Sequence, residues 1–262
     1  MDEKIEIRPG RYVNILVISN LNAKKTLFML HGLGGRGAQW EAQYNVLKDH
    51  FTMIIPDLLG HGKSDKPKPD TTNLYSFQEL DQDVQAIFAR YASAHNWVAG
   101  HSYGGALATS LALAHPNQIE KLILVSPTPL APDTKIPFLF TLPAPIMELL
   151  RPILERSMAK LIFDPTANPD LIESEMRISR QNPMYVIKSL VTGFLSAPKA
   201  DVSGLRVPAV MILGEHDKLI PPAVSRQFYD ALPDCKTVVM ENTSHMAIME
   251  RPEKVTELIL AQ

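Results

Sequence analysis

Short apolar runs alternate with helix-like runs along the first half of the chain, and this alternation restricts the fold more than any other feature. The strand-like runs are rich in Val, Ile, Leu and Phe, and they are Tyr12–Ile18, Thr26–Leu30, Thr52–Ile55, Asn96–Ala99 and Ile119–Val125. Three helix-like runs separate these strands. The first is 38–47, the second begins at a predicted capping box of Ser76 and Glu79, and the third is Tyr103–Ala114. Strands that alternate with helices form a parallel sheet with helices on both faces. The sequence therefore predicts an α/β fold.

A proline-rich segment then interrupts the alternation. Twelve of the 21 prolines lie between Pro127 and Pro208, and no run among them is strand-like. The helix-like stretches within this segment are 146–163 and 171–179. The alternation then resumes with a strand at 210–213, a helix at 223–232, a strand at 237–240 and a helix at 252–260. We therefore expect an α/β core domain of residues 1–126 and 205–262, with residues 127–204 forming a helical insertion.

The stretch Gly100-His101-Ser102-Tyr103-Gly104 joins a predicted strand directly to a predicted helix. The G-x-S-x-G nucleophile elbow requires this placement, because the glycines allow a tight turn that projects the serine hydroxyl above the sheet. The N-terminus of the following helix favours negative charge that develops there. An ordinary glycine-rich turn, including one that binds phosphate, is the alternative interpretation. The pattern makes Ser102 a candidate nucleophile.

A serine nucleophile needs an imidazole base that a carboxylate orients. His245 follows a late predicted strand, and catalytic groups in open α/β sheets gather at the carboxyl ends of strands. A surface-loop histidine is the alternative. Asp217 follows the preceding strand, with Glu215 as a nearby decoy, and it gives the chain order Ser, Asp, His that belongs to this elbow. The predicted strand Ile119–Val125 is followed by Pro127, so no acid competes for this role at the carboxyl end of that strand. The predicted triad is Ser102, Asp217 and His245.

An oxyanion hole is the remaining requirement, and two main-chain N–H groups usually form it. The loop His31-Gly32-Leu33-Gly34-Gly35 directly follows a predicted strand and has the flexibility to turn its amides inward. We predict the N–H groups of Leu33 and Tyr103 as the donors. A dinucleotide site is the alternative, but G-x-G-x-x-G is not met and no ribose-binding acid is evident.

Composition excludes several classes of function. The chain has 45% hydrophobic and 21% charged residues and a formal net charge of −2, so it carries no basic stripe of the kind that binds nucleic acid. The single cysteine, Cys235, excludes an intrachain disulfide. The charged N-terminus is unlike a signal peptide, and the apolar run at 136–147 is too short and too rich in proline to span a bilayer. We expect a cytoplasmic protein without metal or cofactor, and the oligomeric state stays open.

These motifs together resemble the α/β-hydrolase superfamily, and the resemblance covers essentially the whole chain. The order and spacing of its motifs fit those of the superfamily, and these motifs are the segments 31–35, 57–64, 100–104, 213–217 and 244–245. Within the superfamily the chain is most similar to small lidded serine esterases and acylglycerol lipases. The resemblance implies an eight-stranded, mostly parallel sheet with the insertion as a cap over Ser102. It also implies that Asp57–Ser64 is a structural turn and that His61 is not catalytic.

The function that the resemblance implies is hydrolysis of carboxylic esters by a serine hydrolase. We expect a small, apolar ester as substrate, with a short or medium acyl chain or of the monoacylglycerol type. Haloalkane dehalogenases and epoxide hydrolases share the fold but place Asp at the elbow, so Ser102 sets those reactions aside. The apolar stretch 136–150 could line an acyl pocket, or it could simply pack the insertion onto the sheet.

Two alternative functions stay open. Hydrolysis of a C–C bond in a diketone-type, meta-cleavage substrate would use the same triad, with a cationic or amide side chain of the insertion binding the substrate carboxylate. The arginine candidates, which are equally plausible as surface charges, are Arg151, Arg156, Arg177 and Arg180. The second alternative is a non-catalytic protein that binds a ligand on the same fold. Such proteins usually carry a damaged triad, whereas this triad is intact in the sequence.

Overall fold

Eight strands form one sheet in the part of the chain that the computed structural model describes, residues 1–69, 73–130, 136–195, 197 and 199–262. The strands are β1 Asp2–Arg8, β2 Arg11–Ile18, β3 Thr26–Leu30, β4 Thr52–Pro56, β5 Asn96–His101, β6 Ile119–Val125, β7 Ala209–Gly214 and β8 Cys235–Met240. Their order across the sheet is β1-β2-β4-β3-β5-β6-β7-β8. The pairs β1/β2 and β2/β4 are antiparallel and the other pairs are parallel. The predicted α/β fold with a mostly parallel, eight-stranded sheet is confirmed.

The register of the parallel strands brings their carboxyl ends to one edge of the sheet. Leu30 at the end of β3 pairs with Gly100 of β5, and His101 pairs with Val125 at the end of β6. The final residues of β7 and β8 pair with each other in the same way. The loops that leave β3, β5, β6, β7 and β8 therefore start next to one another, and these loops carry the predicted site residues.

Helices cover both faces of this sheet. Among the described residues they are α1 Glu41–Leu47, α2 Phe77–Tyr91, α3 Tyr103–Ala114, α4 Ala144–Ile162, α5 Pro169–Ser179, α6 Met184–Leu195, α7 Pro222–Tyr229, α8 Ala247–Glu250 and α9 Pro252–Leu260. Alternate residues of the central strands point to opposite faces. In β5, Val98 packs in the apolar cluster that contains α2 and α3, and Trp97 and Ala99 pack in the cluster that contains α1 and α9. Burial on both faces explains why these strands read as continuous apolar runs.

The sequence missed three of these elements, the short helix α8 among them, and misassigned one cap. The edge strand β1 alternates charged residues with Ile5 and Ile7, and α6 lies within the proline-rich segment. The predicted capping box at α2 is half wrong. Ser76 Oγ accepts the Glu79 N–H at 3.2 Å as expected, but the Glu79 carboxylate binds Arg8 at 3.1 Å. A charged guanidinium is a stronger partner than a main-chain N–H.

The segment between β6 and β7 contributes α4, α5 and α6. Side chains of α6, among them Phe194, join the apolar cluster that α2 and α3 form with the sheet. The Phe194 ring lies 5.1 Å from the Tyr103 ring in an edge-to-face arrangement. The described helices include none with the length and apolar character that crossing a bilayer demands.

Candidate active site

Ser102 forms the turn between β5 and α3 in a backbone conformation that residues other than glycine rarely adopt. Its φ is 52° and its ψ is −119°, a strained combination that persists only where the surroundings enforce it. The Ser102 N–H donates to the carbonyl of Val125 at 3.0 Å, and its own carbonyl accepts from the Gly105 N–H at 2.8 Å. The neighbouring strand and the first turn of α3 together hold Ser102 at the edge of the sheet.

Two glycines make this turn sterically possible. A Cβ atom on Gly104 would lie 2.3 Å from the carbonyl oxygen of Leu30, and a Cβ atom on Gly100 would lie 2.2 Å from the carbonyl oxygen of Gly104. Both distances are far shorter than any real contact of a methyl group. The glycines that flank Ser102 in the sequence are therefore required for α3 to start directly against β3 and β5.

His245 and Asp217 form a buried pair at the same edge. His245 Nδ1 lies 2.7 Å from Asp217 Oδ2, and the two side chains are 3% and 2% exposed. The other carboxylate oxygen accepts the N–H groups of Leu219 at 2.9 Å and Ile220 at 2.8 Å. Because a carboxylate only accepts, Nδ1 carries the proton and Nε2 is the free basic nitrogen. Asp217 thus fixes both the tautomer and the orientation of the His245 ring.

A contact through His101 holds His245 beside the nucleophile turn. The His101 Nε2–H donates to the main-chain carbonyl of His245 at 2.9 Å, and the two rings are 5.1 Å apart. Ser102 Oγ makes a long contact of 3.5 Å with Thr128 Oγ1, and within the described residues it shares no hydrogen bond with His245. Catalytic hydrogen bonds are often loose without substrate and tighten when it binds. All three residues of the predicted triad lie at one edge of the sheet.

The loop that follows β3 lies directly against Ser102. A Cβ atom on Gly32 would lie 3.0 Å from the Cβ atom of Ser102. Neither the Leu33 N–H nor the Tyr103 N–H has a hydrogen-bond partner among the residues that the structure describes. The two amides predicted as oxyanion donors therefore belong to segments that flank Ser102, and both are uncommitted.

The orientation of the Leu33 amide is fixed through the carbonyl of the same peptide group. The Gly32 carbonyl accepts from His31 Nδ1 at 2.8 Å and from the Gly35 N–H at 3.0 Å. Since N–H and C=O point in opposite directions across a trans peptide, these two bonds set the direction of the Leu33 N–H. The far side of the His31 ring is also held, because its Nε2 accepts the Leu58 N–H at 2.9 Å.

His61 supports the same loop. Its Nε2 accepts the Gly34 N–H at 3.0 Å, and its Nδ1–H donates to the Leu59 carbonyl at 3.1 Å. Its ring packs edge-on against His31 at 4.8 Å. Burial lowers the pKa of His31 to about 4, and burial with His31 as neighbour lowers the pKa of His61 to about 3. Both rings are therefore neutral near pH 7 and act as fixed hydrogen-bonding groups.

The insertion is bonded to the loops on both sides of the site. Asn182 Nδ2 donates to the Gly34 carbonyl at 2.8 Å, and Arg36 forms a bidentate ion pair with Glu175 at 2.7 and 2.8 Å. On the other side, the N–H of Met246, the residue after His245, donates to the carbonyl of Ile162 at 3.1 Å. Helix α5 and the linker between α5 and α6 thus contact the 31–36 loop, and the last residue of α4 contacts the loop of His245.

Several other predicted candidates have different partners. Glu215 accepts from the Asn242 N–H at 3.3 Å and makes no hydrogen bond with His245 within the described residues. Arg151 binds Glu148 at 2.7 Å, and Arg180 binds Glu155 at 2.8 Å. These two arginines of the insertion are therefore already occupied by carboxylates.

The apolar stretch 136–150 does not behave as one unit. Met147 is buried, whereas Phe138 is 78% exposed and Leu149 is 81% exposed. Within this stretch, therefore, Met147 is packed, whereas Phe138 and Leu149 face solvent.

Sequence reasoning missed Thr128. This residue follows β6 by three positions, and its hydroxyl is the group that contacts Ser102 Oγ. The available signal was its position at the carboxyl end of the strand next to β5. A threonine hydroxyl at such a position has no distinguishing pattern, whereas an acid there would have been a candidate for the triad.

Comparison with known proteins identifies the family. Residues 25–252 match the family described as alpha/beta hydrolase fold. The chain belongs to this family. Among members of known sequence, mouse Protein ABHD8 is 30% identical over 268 residues, which cover 96% of this chain and 59% of that protein. The chain thus spans about three fifths of the length of this relative and of its bovine and human counterparts.

Two further proteins of the same fold resemble this chain along nearly its full length. The pimeloyl-[acyl-carrier protein] methyl ester esterase of Vibrio cholerae is 27% identical, with 89% of this chain and 92% of that protein covered. The solved structure of an esterase from Exiguobacterium antarcticum superposes with a TM-score of 0.85 at 18% identity, covering 100% of this chain and 98% of that one. At such low identity the structural match establishes the alpha/beta hydrolase fold alone.

Proposed function

We propose that this chain is a serine hydrolase that cleaves carboxylic esters through an acyl-enzyme at Ser102. The observation that carries the proposal is the placement of a strained Ser102 at the same sheet edge as a His245 ring bonded to Asp217 at 2.7 Å. Membership of the alpha/beta hydrolase fold family supports a hydrolase. Because a fold by itself does not determine chemistry, the argument rests on this group of side chains.

In the first half of the reaction, Ser102 attacks the carbonyl carbon of the ester. His245 Nε2 takes the hydroxyl proton as the Oγ–carbon bond forms, and the carbonyl electron pair moves onto the carbonyl oxygen. The free N–H groups of Leu33 and Tyr103 donate to that oxygen, where fixed donors act most strongly on a developing charge. Asp217 stabilises the imidazolium. The alcohol then leaves with the proton from His245, and the acyl group remains on Ser102.

In the second half, a water molecule attacks the acyl carbon. His245 Nε2 removes a proton from the water and then returns it to Ser102 Oγ as the Oγ–carbon bond breaks. The carboxylic acid is released and Ser102 is regenerated. In each half of the reaction His245 acts once as base and once as acid, so no other proton carrier is needed.

We assign a small, apolar ester as the substrate, with a short or medium acyl chain or of the monoacylglycerol type, and residues 127–204 as the cap over the site. Apolar side chains of α6 support both assignments. Phe194 packs on Tyr103, and Ile187 Cδ1 lies 3.8 Å from the position of a Cβ atom on Gly34. The similar Vibrio cholerae protein is named as an esterase of a methyl ester.

Activity-based labelling tests the proposal. A fluorophosphonate probe should label the unsubstituted protein once, at Ser102, and p-nitrophenyl esters of increasing chain length should be turned over. Ser102→Ala should abolish labelling and lower turnover by at least about a thousandfold. Ser157→Ala, which changes an exposed serine on α4, is the matched control and should keep both. A protein that is neither labelled nor active on any ester would contradict the proposal.

A further inference from the structure

Thr128 is held next to Ser102 by main-chain bonds on both of its sides. Its N–H donates to the Ser102 carbonyl at 3.1 Å, and its own carbonyl accepts from the Tyr229 hydroxyl at 3.0 Å. Tyr229 is fully buried, and Thr128 is 7% exposed. The position of the Thr128 side chain relative to Ser102 is therefore set by the sheet edge and by α7, independently of its own hydroxyl.

The Thr128 hydroxyl is used differently from the buried hydroxyls of the helical residues Thr109 and Thr256. Thr109 Oγ1 donates to the Gly105 carbonyl at 2.8 Å, and Thr256 Oγ1 donates to the Pro252 carbonyl at 2.8 Å, which is the ordinary way that a helix satisfies a buried hydroxyl. Thr128 Oγ1 has no carbonyl acceptor in the described part of the chain. Its hydrogen-bond contact is with Ser102 Oγ at 3.5 Å, so its proton is free to point at that oxygen.

We propose that Thr128 is a further catalytic residue, whose hydroxyl donates a hydrogen bond to Ser102 Oγ while negative charge collects on that oxygen. This inference rests on the proposed ester hydrolysis. When His245 removes the Ser102 proton, the electron pair of the O–H bond stays on Oγ until the bond to carbon is complete. The 3.5 Å contact shortens at this stage, because a donor binds a charged oxygen more strongly than a neutral one. The Thr128 O–H bond stays intact throughout.

The same hydrogen bond acts again when Ser102 leaves the acyl-enzyme. The carbon–Oγ bond breaks with its electron pair on Oγ, and His245 then supplies the proton. Thr128 thus assists each passage between free serine and the tetrahedral intermediate. Thr128 is unchanged at the end of the cycle. It binds Ser102 Oγ, whereas the Leu33 and Tyr103 amides bind the carbonyl oxygen of the ester.

The rate of fluorophosphonate labelling isolates this effect. In that reaction Ser102 Oγ forms one bond to phosphorus, fluoride leaves with the P–F electron pair, and the serine proton passes to His245. Thr128→Val removes the hydroxyl at constant shape and should slow labelling by about tenfold or more. Thr128→Ser keeps the hydroxyl and should label within about threefold of the unsubstituted rate. Thr128→Ala is a second variant without the hydroxyl, and circular dichroism with thermal unfolding verifies that each variant is folded.

The outcomes separate the two proposals. Slow labelling of folded Thr128→Val or Thr128→Ala, with recovery in Thr128→Ser, supports the role of Thr128. Labelling of both hydroxyl-free variants at the unsubstituted rate overturns that role and leaves the proposed function intact. An unsubstituted protein that does not react at Ser102 overturns the proposed function, and the role of Thr128 with it.

Discussion

His101 donates its Nε2–H to the main-chain carbonyl oxygen of His245 across 2.9 Å, so the residue next to the nucleophile holds the residue proposed as the base. Burial, together with the adjacent His245, lowers the pKa of His101 to about 3, and its Nδ1 has no hydrogen-bond partner within the described residues. The ring is therefore a neutral, single-donor link. It fixes the distance between the β5 turn and the loop after β8.

Replacing His101 by Phe keeps a ring but removes this donor. The His245 carbonyl then loses its partner, and a small displacement of the base is enough to lower kcat. We expect kcat on a p-nitrophenyl ester to fall by roughly tenfold to a hundredfold with little change in KM. His115→Phe, at the far end of α3, is the control and should keep the unsubstituted kcat. Equal kcat in both variants would show that the contact has no effect on the reaction.

The contact of Asn182 with Gly34 predicts that the insertion supports the oxyanion loop. Asn182→Asp replaces the donating amide by a carboxylate that faces a carbonyl oxygen, an unfavourable arrangement in a buried position. We expect a loss of about 1–3 kcal/mol in the free energy of unfolding and a fall of about tenfold in kcat/KM. In Asn168→Asp the same change is harmless, because Asn168 acts only as an acceptor for the Asp170 N–H. Urea unfolding and steady-state kinetics of the two variants make the comparison.

The steric requirement at Gly104 gives a prediction with an internal control. Gly104→Ala would place a methyl group 2.3 Å from the Leu30 carbonyl oxygen and must displace α3 from β3. We expect a loss of several kcal/mol of stability, about 3 or more, together with loss of activity. Apart from its two chain neighbours, no heavy atom of the described residues lies within 4 Å of the corresponding position on Gly204, so Gly204→Ala should be neutral or stabilise by up to about 1 kcal/mol. Thermal unfolding of both proteins decides the matter.

Buried neutral histidines predict how stability depends on pH. The pKa of His61 is lowered to about 3 in the folded protein, whereas an unfolded chain takes up this proton near pH 6.5. The unfolded state therefore binds more protons between these values, and stability present above about pH 6.5 is lost progressively as the pH falls towards 3. One such group contributes a slope of about 1.4 kcal/mol per pH unit.

His61→Gln removes this contribution. Between about pH 5.5 and 4.5 the free energy of unfolding of this variant should fall less steeply than that of the unsubstituted protein, by about 1.4 kcal/mol per pH unit. His50→Gln, which changes an exposed histidine, controls for the loss of an imidazole and should keep the original slope. Identical slopes for all three proteins would mean that His61 takes up its proton equally in both states.

The sequence predicted the elements whose residues are dictated by local pattern. The bounds predicted for β3, α3, β6 and α9 are those observed, because each is a mostly apolar run or opens with a helix-starting Pro. The edge strand β1 escaped prediction because one of its faces is solvated, so its charged residues conceal the strand period. The Glu79 carboxylate was assigned to a local cap, whereas Arg8, which lies far from it in the sequence, binds it.

The residues of the candidate site likewise divide into those that the sequence predicts and those that it does not. Ser102, Asp217 and His245 were predicted because a nucleophile, an acid and a base have distinctive residue types and positions after strands. Thr128 and Asn182 were not, because a hydroxyl or an amide is common and acquires a role only from its partner across the fold. The contact distances to Ser102 and Gly34 supply that information, and no spacing in the sequence contains it.

The strands β6 and β7 are neighbours in the sheet, with Leu122 paired to Ala209. The 127–204 segment therefore leaves the sheet and rejoins it at adjacent positions, so its length is independent of the strand register. Natural or laboratory recombination can exchange this segment for one of another size without moving Ser102, Asp217 or His245. An exchanged segment must reproduce Thr128 beside Ser102, the apolar α6 side chains that pack in the core, an amide donor for Gly34, a carboxylate for Arg36 and a carbonyl for Met246. The architecture thus allows the segment beyond Thr128 to change while the residues proposed for catalysis keep their places.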